Sequence, residues 1–182
     1  MKITKVTEDA VATLLDDLLK RSPNNYTGYA DKVQAIIDDV RERGDEALFE
    51  MTKRFDGADL NADNIRVTQA EIDEAYTLVD ASLIEVIRKA MTNIRVYHEK
   101  QRQYGWFDTT PDGTILGQKV TPLQSTGVYV PGGKAAYPSS VLMNVIPAKV
   151  AGVEKIVMVT PPGKDGKVNP GTLVAANESG AD

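Results

Sequence analysis

The chain has 182 residues, 42% of them hydrophobic and 26% charged, a balance that fits one large or two small globular domains and gives no compositional case for disorder. Its 21 Lys and Arg against 26 Asp and Glu give a net charge of -5; with neither sign gathered into a long block, the sequence argues against a nucleic-acid or anionic-membrane surface. The lack of any Cys excludes disulfides, thiolate nucleophiles and thiolate metal sites, and allows a reducing compartment.

The start, Met1-Lys2-Ile3-Thr4-Lys5, runs into acidic, helix-forming sequence without the apolar core or cleavage site of a signal peptide. Apolar runs such as residues 141–143 fall far short of the roughly 20 residues of a membrane span. A soluble, cytoplasmic protein is expected. Val11, Leu14, Leu15, Leu18 and Leu19 recur at helical spacing and predict one amphipathic helix, ended by Pro23 and Asn24-Asn25. A second helix carries Val33, Ile36, Ile37 and Val40, with Gly44 where a left-handed C-terminal cap is wanted. Asp45 is placed to cap a third, running through Phe55 and closed by Asp56-Gly57. After an extended piece at residues 65–67, Thr68 and Glu71 have the spacing of a capping box, ahead of Ile72, Ala75, Tyr76 and Val79. From Ser82 the stripe Leu83, Val86, Ile87, Ala90, Met91, Ile94 and Tyr97 predicts the longest helix, with His98 at its edge.

Beyond Gly105 the character changes. Trp106-Phe107, the turn Pro111-Asp112-Gly113 and residues 115–120 predict a β-hairpin. The last third predicts a strand at 127–130, a helix at 140–151, a strand at 155–160 and a helix from Pro170, with Gly152 at a C-cap and Asn169-Pro170 as N-cap and first-turn pair. Short apolar strands alternating with helices imply parallel pairing with cover on both faces. Residues 177–182 fall where a third strand should begin, so a unit truncated or completed from elsewhere is expected. The expected fold class is α/β: a helix-rich amino-terminal part with a β-hairpin, then the beginning of an incomplete Rossmann-like parallel βαβα unit. The division expected is residues 1–120 and 121–182.

In such a sheet, ligands collect beyond the carboxyl ends of the strands, which is where Pro131-Gly132-Gly133-Lys134 lies. Its glycines allow unusual backbone angles and close approach to main-chain N–H groups, Lys134 offers positive charge, and Ser139 or Ser140 is placed to cap the next helix. The loop matches neither the G-x-G-x-x-G nor the Walker A pattern, so spacing alone leaves a plain tight turn equally open. Tyr129, directly before it, is placed to stack on or hydrogen-bond a bound ring; a core tyrosine with a satisfied hydroxyl is the commoner use of an isolated strand Tyr. Pro147 removes a donor inside a helix and should kink it or mark a restart. His98, the one histidine, is a poor basis for a triad or metal site and is read as partly buried and hydrogen-bonded. The pairs Asp16-Asp17 and Asp38-Asp39 are read as solvated helix faces and not as a metal site.

The stretch GVYVPGGKAAYPSSVLMNVIPAKVAGVEKIVMVTPP, residues 127–162, closely resembles the signature region of histidinol dehydrogenase. Val40-Arg41-Glu42-Arg43-Gly44-Asp45-Glu46-Ala47-Leu48, Arg54-Phe55-Asp56 and Asn93-Ile94-Arg95-Val96-Tyr97-His98 resemble that family's amino-terminal region. The resemblance covers essentially this whole chain but only the amino-terminal part of a family member. It implies an NAD-dependent, zinc-containing homodimer that oxidises L-histidinol to L-histidine in two steps through the aldehyde, at the end of histidine biosynthesis. For Tyr129 it implies NAD contact, with Gly132, Gly133 and Lys134 as neighbours of that contact. The family's zinc ligands and Glu-His acid/base pair belong to a later region, so no catalytic or metal residue is assigned here and His98 is given neither role. By itself the chain is expected to be inactive. The alternatives are a stand-alone, non-catalytic module binding a nucleotide or partner, and a related NAD-linked dehydrogenase of other substrate.

Overall fold

A computed structural model of the chain describes residues 5, 7–11, 27–132 and 136–182. In chain order the elements are α1 (Thr27–Arg43), α2 (Asp45–Phe55), α3 (Gln69–Leu78), α4 (Ala81–Glu99), β1 (Trp106–Thr109), β2 (Ile115–Gln118), β3 (Ser125–Tyr129), α5 (Pro138–Ala151), β4 (Lys155–Val159) and α6 (Pro170–Ser179). The architecture is the expected α/β one: helices, an antiparallel hairpin, then a βαβα series whose two strands pair in parallel. The chain forms two compact units, Met1–Leu48 and Phe49–Asp182.

In the first unit, residues 8–11 are helical. Of the first expected apolar stripe only Val11 is described; Leu14, Leu15, Leu18 and Leu19, the Pro23 and Asn24-Asn25 stop, and Asp16-Asp17 lie outside the described residues. On α1 the stripe Val33, Ile36 and Ile37 is exposed. Asp39 accepts two hydrogen bonds from the Arg43 guanidinium, at 2.7 and 2.9 Å, which hold its carboxyl below the usual range. Gly44 adopts φ +62° and donates its N–H to Val40 O at 2.8 Å, the cap its position called for. Because α1 runs to Arg43, Gly44 also occupies the joint, and Asp45 becomes the first residue of α2 instead of its cap. There it still meets the positive end of the helix, together with Glu46.

In the second unit the segment 65–67 is bent, not extended: Ile65 N–H reaches Asn61 O at 3.0 Å, and the Asn61 side chain takes the Asp63 N–H at 2.8 Å. An Asx turn has captured it. The capping box closes as expected, with Glu71 N–H to Thr68 Oγ1 at 3.3 Å and Thr68 N–H to Glu71 Oε2 at 2.7 Å. The Thr68 N–H and its hydroxyl, at 2.8 Å, both donate to Glu71 Oε2 and hold that carboxyl below the usual range. Asp80 caps α4, at 19 residues the longest of the described helices. Ile84 and Ile87 of α4 are buried, with Ala90, Met91 and Ile94 packed beside them, while Leu83, Val86 and Tyr97 of the expected stripe are exposed. The inward face is rotated toward Ile84 because α4 packs on α5 and α6 through that side.

Helix α6 lies at the centre of this core. Leu173, Val174, Ala175 and Ala176 are buried with Gly171, Thr172 and Ser179, so the helix is covered almost all round. Asn169 caps it, accepting from Gly171 N–H at 2.9 Å, and Pro170 fills the first turn as expected. Val130, Val141, Val145, Ile146, Ile156 and Val174 are the largest fully buried side chains.

Strands β3 and β4 pair from Ser125↔Lys155 to Tyr129↔Val159. The expected strand at 127–130 thus begins two residues earlier, and the helix expected from 140 begins at Pro138. One sheet face carries buried Val130 and Ile156; on the other, Tyr129, Val157 and Val159 are exposed, so within the described residues the sheet has cover on one face and not two. Residues 177–179, expected near a third strand, belong to α6. Only Asp182 reaches β4, exchanging its N–H and carboxylate with Ile156 O and N–H at 2.8 and 2.7 Å. The hairpin register runs from Trp106↔Gln118 to Thr109↔Ile115. Its turn holds Gly113 at φ +88°, Asp112 accepts from Thr110 and Thr114, and both strands are exposed throughout.

Candidate functional site

At the carboxyl end of β3, Val130 N–H bonds Val159 O at 2.9 Å and its side chain is fully buried, which anchors the start of the loop in the core. Pro131 and Gly132 follow; Gly133 and Lys134 lie outside the described residues. Gly132 has no positive φ, so the unusual backbone angles expected of it are not what it supplies. Its requirement is steric. A Cβ there would stand 3.1 Å from both Pro161 O and Thr160 Oγ1, tighter than ordinary van der Waals contact. The loop leaving β4 backs directly onto the loop leaving β3.

That second loop is itself closed, with Gly163 N–H to Lys167 O at 2.8 Å and Gly166 at φ +78°, and it delivers Asn169-Pro170 to the start of α6. A Cβ on Gly171 would lie 3.7 Å from Pro138 Cγ, so the first turns of α5 and α6 are neighbours. Two strand exits and two helix N-termini therefore gather at one end of the sheet, where N–H groups and helix dipoles favour negative charge. The expected Ser139 or Ser140 cap does not form. Pro138 occupies the first turn, Tyr137 is the N-cap without a side-chain bond, and both serines fall inside α5. With no capping oxygen present, the Ser139 N–H has no acceptor among the described residues.

Tyr129 is 63% exposed and its phenol makes no hydrogen bond among the described residues. It stands on the open face of the sheet, so the core-tyrosine arrangement is not the one found in this chain. Tyr129 and Gly132 are brought to the same strand exit. His98 is elsewhere: it lines a cavity of about 340 Å³ with Pro147, Val150 and Ala151 from the last turns of α5, whereas the loop meets the first turn of that 14-residue helix, about 20 Å away along its axis. His98 is half-buried, with Nδ1 2.7 Å from Gln101 Oε1 and its ring edge-on to Tyr97 at 5.2 Å, in keeping with the partly buried, hydrogen-bonded reading. Pro147 neither breaks nor restarts α5, which runs unbroken from Pro138 to Ala151. The carbonyl it leaves without a donor belongs to Met143, an exposed residue that water can reach.

Sequence reading missed a polar cluster that ties α3, α4 and α6 together. Glu178 accepts from Tyr76 Oη at 2.9 Å and from Arg88 Nη2 and Nε at 2.8 and 3.0 Å, and Asn177 donates to the Tyr76 hydroxyl at 2.9 Å. The Arg88 guanidinium holds the Glu178 carboxyl down, while burial pushes the Tyr76 phenol up. These residues lie about a hundred positions apart, with no local spacing to signal them. Among the described residues no three of His, Cys, Asp and Glu converge as a metal-binding group. No helix among them is long and apolar enough to cross a membrane.

Two parallel strands joined by a helix, with their exits and the following helix starts at one end, define a Rossmann-like α/β unit, here preceded by a helical part and a hairpin. The chain belongs to the histidinol dehydrogenase family, whose model matches residues 19–182. It is 54% identical over 167 residues to the histidinol dehydrogenase of Heliobacterium mobile, covering 92% of this chain and 39% of that protein. The Bacillus subtilis (strain 168) histidinol dehydrogenase is 59% identical over 163 residues, 89% of this chain and 38% of that one. The crystal structure of histidinol dehydrogenase from Elizabethkingia anophelis aligns with a TM-score of 0.78 at 37% identity, over 84% of this chain and 35% of its own. The chain thus spans about two-fifths of the length of the curated relatives it matches.

Proposed function

We propose that these residues are the coenzyme-side portion of an NAD-dependent histidinol dehydrogenase that oxidises L-histidinol to L-histidine in two steps through the aldehyde, as a zinc-containing cytoplasmic homodimer. Residues 121–182 form the beginning of its NAD-binding half. The observation that carries this reading is the placement of Tyr129, its ring exposed and its hydroxyl without a partner among the described residues, at the β3 exit within the 127–162 stretch that resembles the family signature. NAD, when bound, supplies the hydride acceptor. Tyr129 offers a flat face and a donor to its rings, Gly132 keeps the two exit loops close, and the Ser139 N–H at the start of α5, without an acceptor among the described residues, is placed to meet a phosphate oxygen. Gly133 and Lys134, which follow in the sequence, are proposed as neighbours of the Tyr129 contact on the family resemblance alone. The residues fit a dinucleotide and do not fit zinc, since no metal-ligating group assembles among those described.

Aldehyde oxidation also needs a positioned base to activate water, and among the described residues none stands at this end of the sheet. The 182-residue chain is therefore inactive alone. Assayed with L-histidinol, NAD and zinc, it should give no turnover, while NAD should bind and Tyr129→Ala should abolish that binding. Turnover at the rate of a full-length relative would overturn the inactivity, and NAD binding unchanged by Tyr129→Ala would overturn the site.

A further inference from the structure

The cavity beside His98 adjoins a second one of about 400 Å³, and the two share Arg102, Tyr104 and Val150. Arg95, His98 and Glu99 lie one turn apart at the end of α4, and Arg102 follows in the turn beyond it, closed by Gln101 N–H to His98 O at 3.0 Å and Arg102 N–H to Glu99 O at 3.4 Å. The end of α4 and the turn after it thus line both cavities. Lys149, in the last turn of α5, lines the second. Among the described residues Arg95, Arg102 and Lys149 have no carboxylate partner, whereas Arg88 on the same helix has two, Glu85 and Glu178. In a chain of net charge -5 such a gathering is not compositional.

A simpler explanation is that these cations only offset the negative ends of α4 and α5, which both terminate here. The charges do not balance on that account. A third helix end is also here, since Lys149 Cε and Nζ lie 3.2 and 3.8 Å from where a Cβ on Gly180, the C-cap of α6, would stand; at about half a unit charge each, the three ends and the Glu99 carboxylate still leave about half a positive charge over. Arg95 also stands a full turn inside α4, away from the terminal carbonyls. The Arg102 guanidinium lies 5.4 Å over the Tyr104 ring, which brings a planar donor fork to the wall shared by the two cavities.

We propose that this paired cavity, at the opposite end of α5 from the strand exits, binds the phosphate or pyrophosphate group of a small molecule through Arg95, Arg102 and Lys149. It is independent of the coenzyme reading. The test is a titration of the full chain with inorganic pyrophosphate at low ionic strength, where screening is weakest, followed by the imidazole resonances of His98, the only histidine. The expected result is a saturable shift of those resonances, weakened about tenfold or more by Arg102→Ala and by Lys149→Ala and unchanged by Lys164→Ala in the β4–α6 loop. All these side chains are solvent-accessible, and far-UV circular dichroism confirms that the variants stay folded. No saturable shift by about 10 mM pyrophosphate, a level at which even a site with a dissociation constant of about 10 mM would be half filled, overturns the proposal. So does a folded Arg102→Ala, Lys149→Ala double variant that binds as the parent does.

Discussion

Substituting Gly132 tests whether the two strand-exit loops are packed as one surface. The added methyl of Gly132→Ala would stand 3.1 Å from Thr160 Oγ1, 3.1 Å from Pro161 O and 3.4 Å from Pro161 Cδ. The threonine side chain can rotate away, but the proline carbonyl is backbone and must give by a few tenths of an ångström. A small-to-large change that forces backbone movement costs about 1–2 kcal/mol, which for a unit of this size lowers Tm by about 3–6 °C. Gly127, on β3 nearby, is the control: a Cβ there meets nothing within 4 Å and its φ is not positive. Gly127→Ala should therefore be neutral or slightly stabilising, through the lower entropy of the unfolded chain. Thermal unfolding of both variants by circular dichroism at equal concentration makes the comparison. Equal Tm values, or a Gly132→Ala value at or above the parent's, would refute the packing of the loops and with it the steric reason for glycine at 132.

Ile146→Ala empties a fully buried position between α5 and its neighbours and should cost about 3–4 kcal/mol in urea unfolding; a loss under about 1 kcal/mol would mean that the core around α6 is loosely packed. Thr68→Ala removes the acceptor of the Glu71 N–H and should cost about 1 kcal/mol, read from the same curves. Arg88 holds the Glu178 carboxyl below its ordinary 4.5, so the folded state binds its proton more weakly than the unfolded chain does. The stability this contributes is present above the unfolded value and is lost as pH falls through the folded one. Unfolding free energies measured from pH 6 down should fall less steeply in Glu178→Gln than in the parent, and parallel slopes would count against the ion pair.

Local chemistry was legible in the sequence and long-range chemistry was not. Thr68 with Glu71, Gly44, and Asn169 with Pro170 each act within one turn of chain, and each does in the structure what its spacing implies. The Ser139 or Ser140 cap failed because Pro138, two residues earlier at most, is itself a strong first-turn residue and moved the start of α5 forward. On α4 the apolar stripe was real, but periodicity does not distinguish Leu83 from Ile84 as the inward residue; that is settled by α5 and α6, which come much later in the chain. Gly132 was found for the wrong reason, since the constraint on it comes from Thr160 and Pro161 and leaves no trace beside the glycine. The Glu178 cluster joins α3, α4 and α6 and could be seen only once they had packed.

The strand carrying Tyr129 separates stability from binding. Its alternate residues face opposite ways, and the buried face of the sheet, with Val130 and Ile156 fully enclosed, supplies the packing that holds β3 against β4. Tyr129 points the other way and is 63% exposed, so its removal deletes little buried area and leaves no unsatisfied partner. Tyr129→Ala should hold unfolding free energy within about 0.5 kcal/mol of the parent, as for other surface changes, while abolishing NAD binding. A large loss of stability would place the ring in the core after all, and any lost binding would then be a symptom of unfolding. Val130→Ala should behave in the opposite sense, costing about 1–3 kcal/mol by emptying a buried site before any coenzyme is added. Only if the two neighbours divide in this way, one affecting binding and the other stability, is the β3 exit a site mounted on a core and not an edge of it.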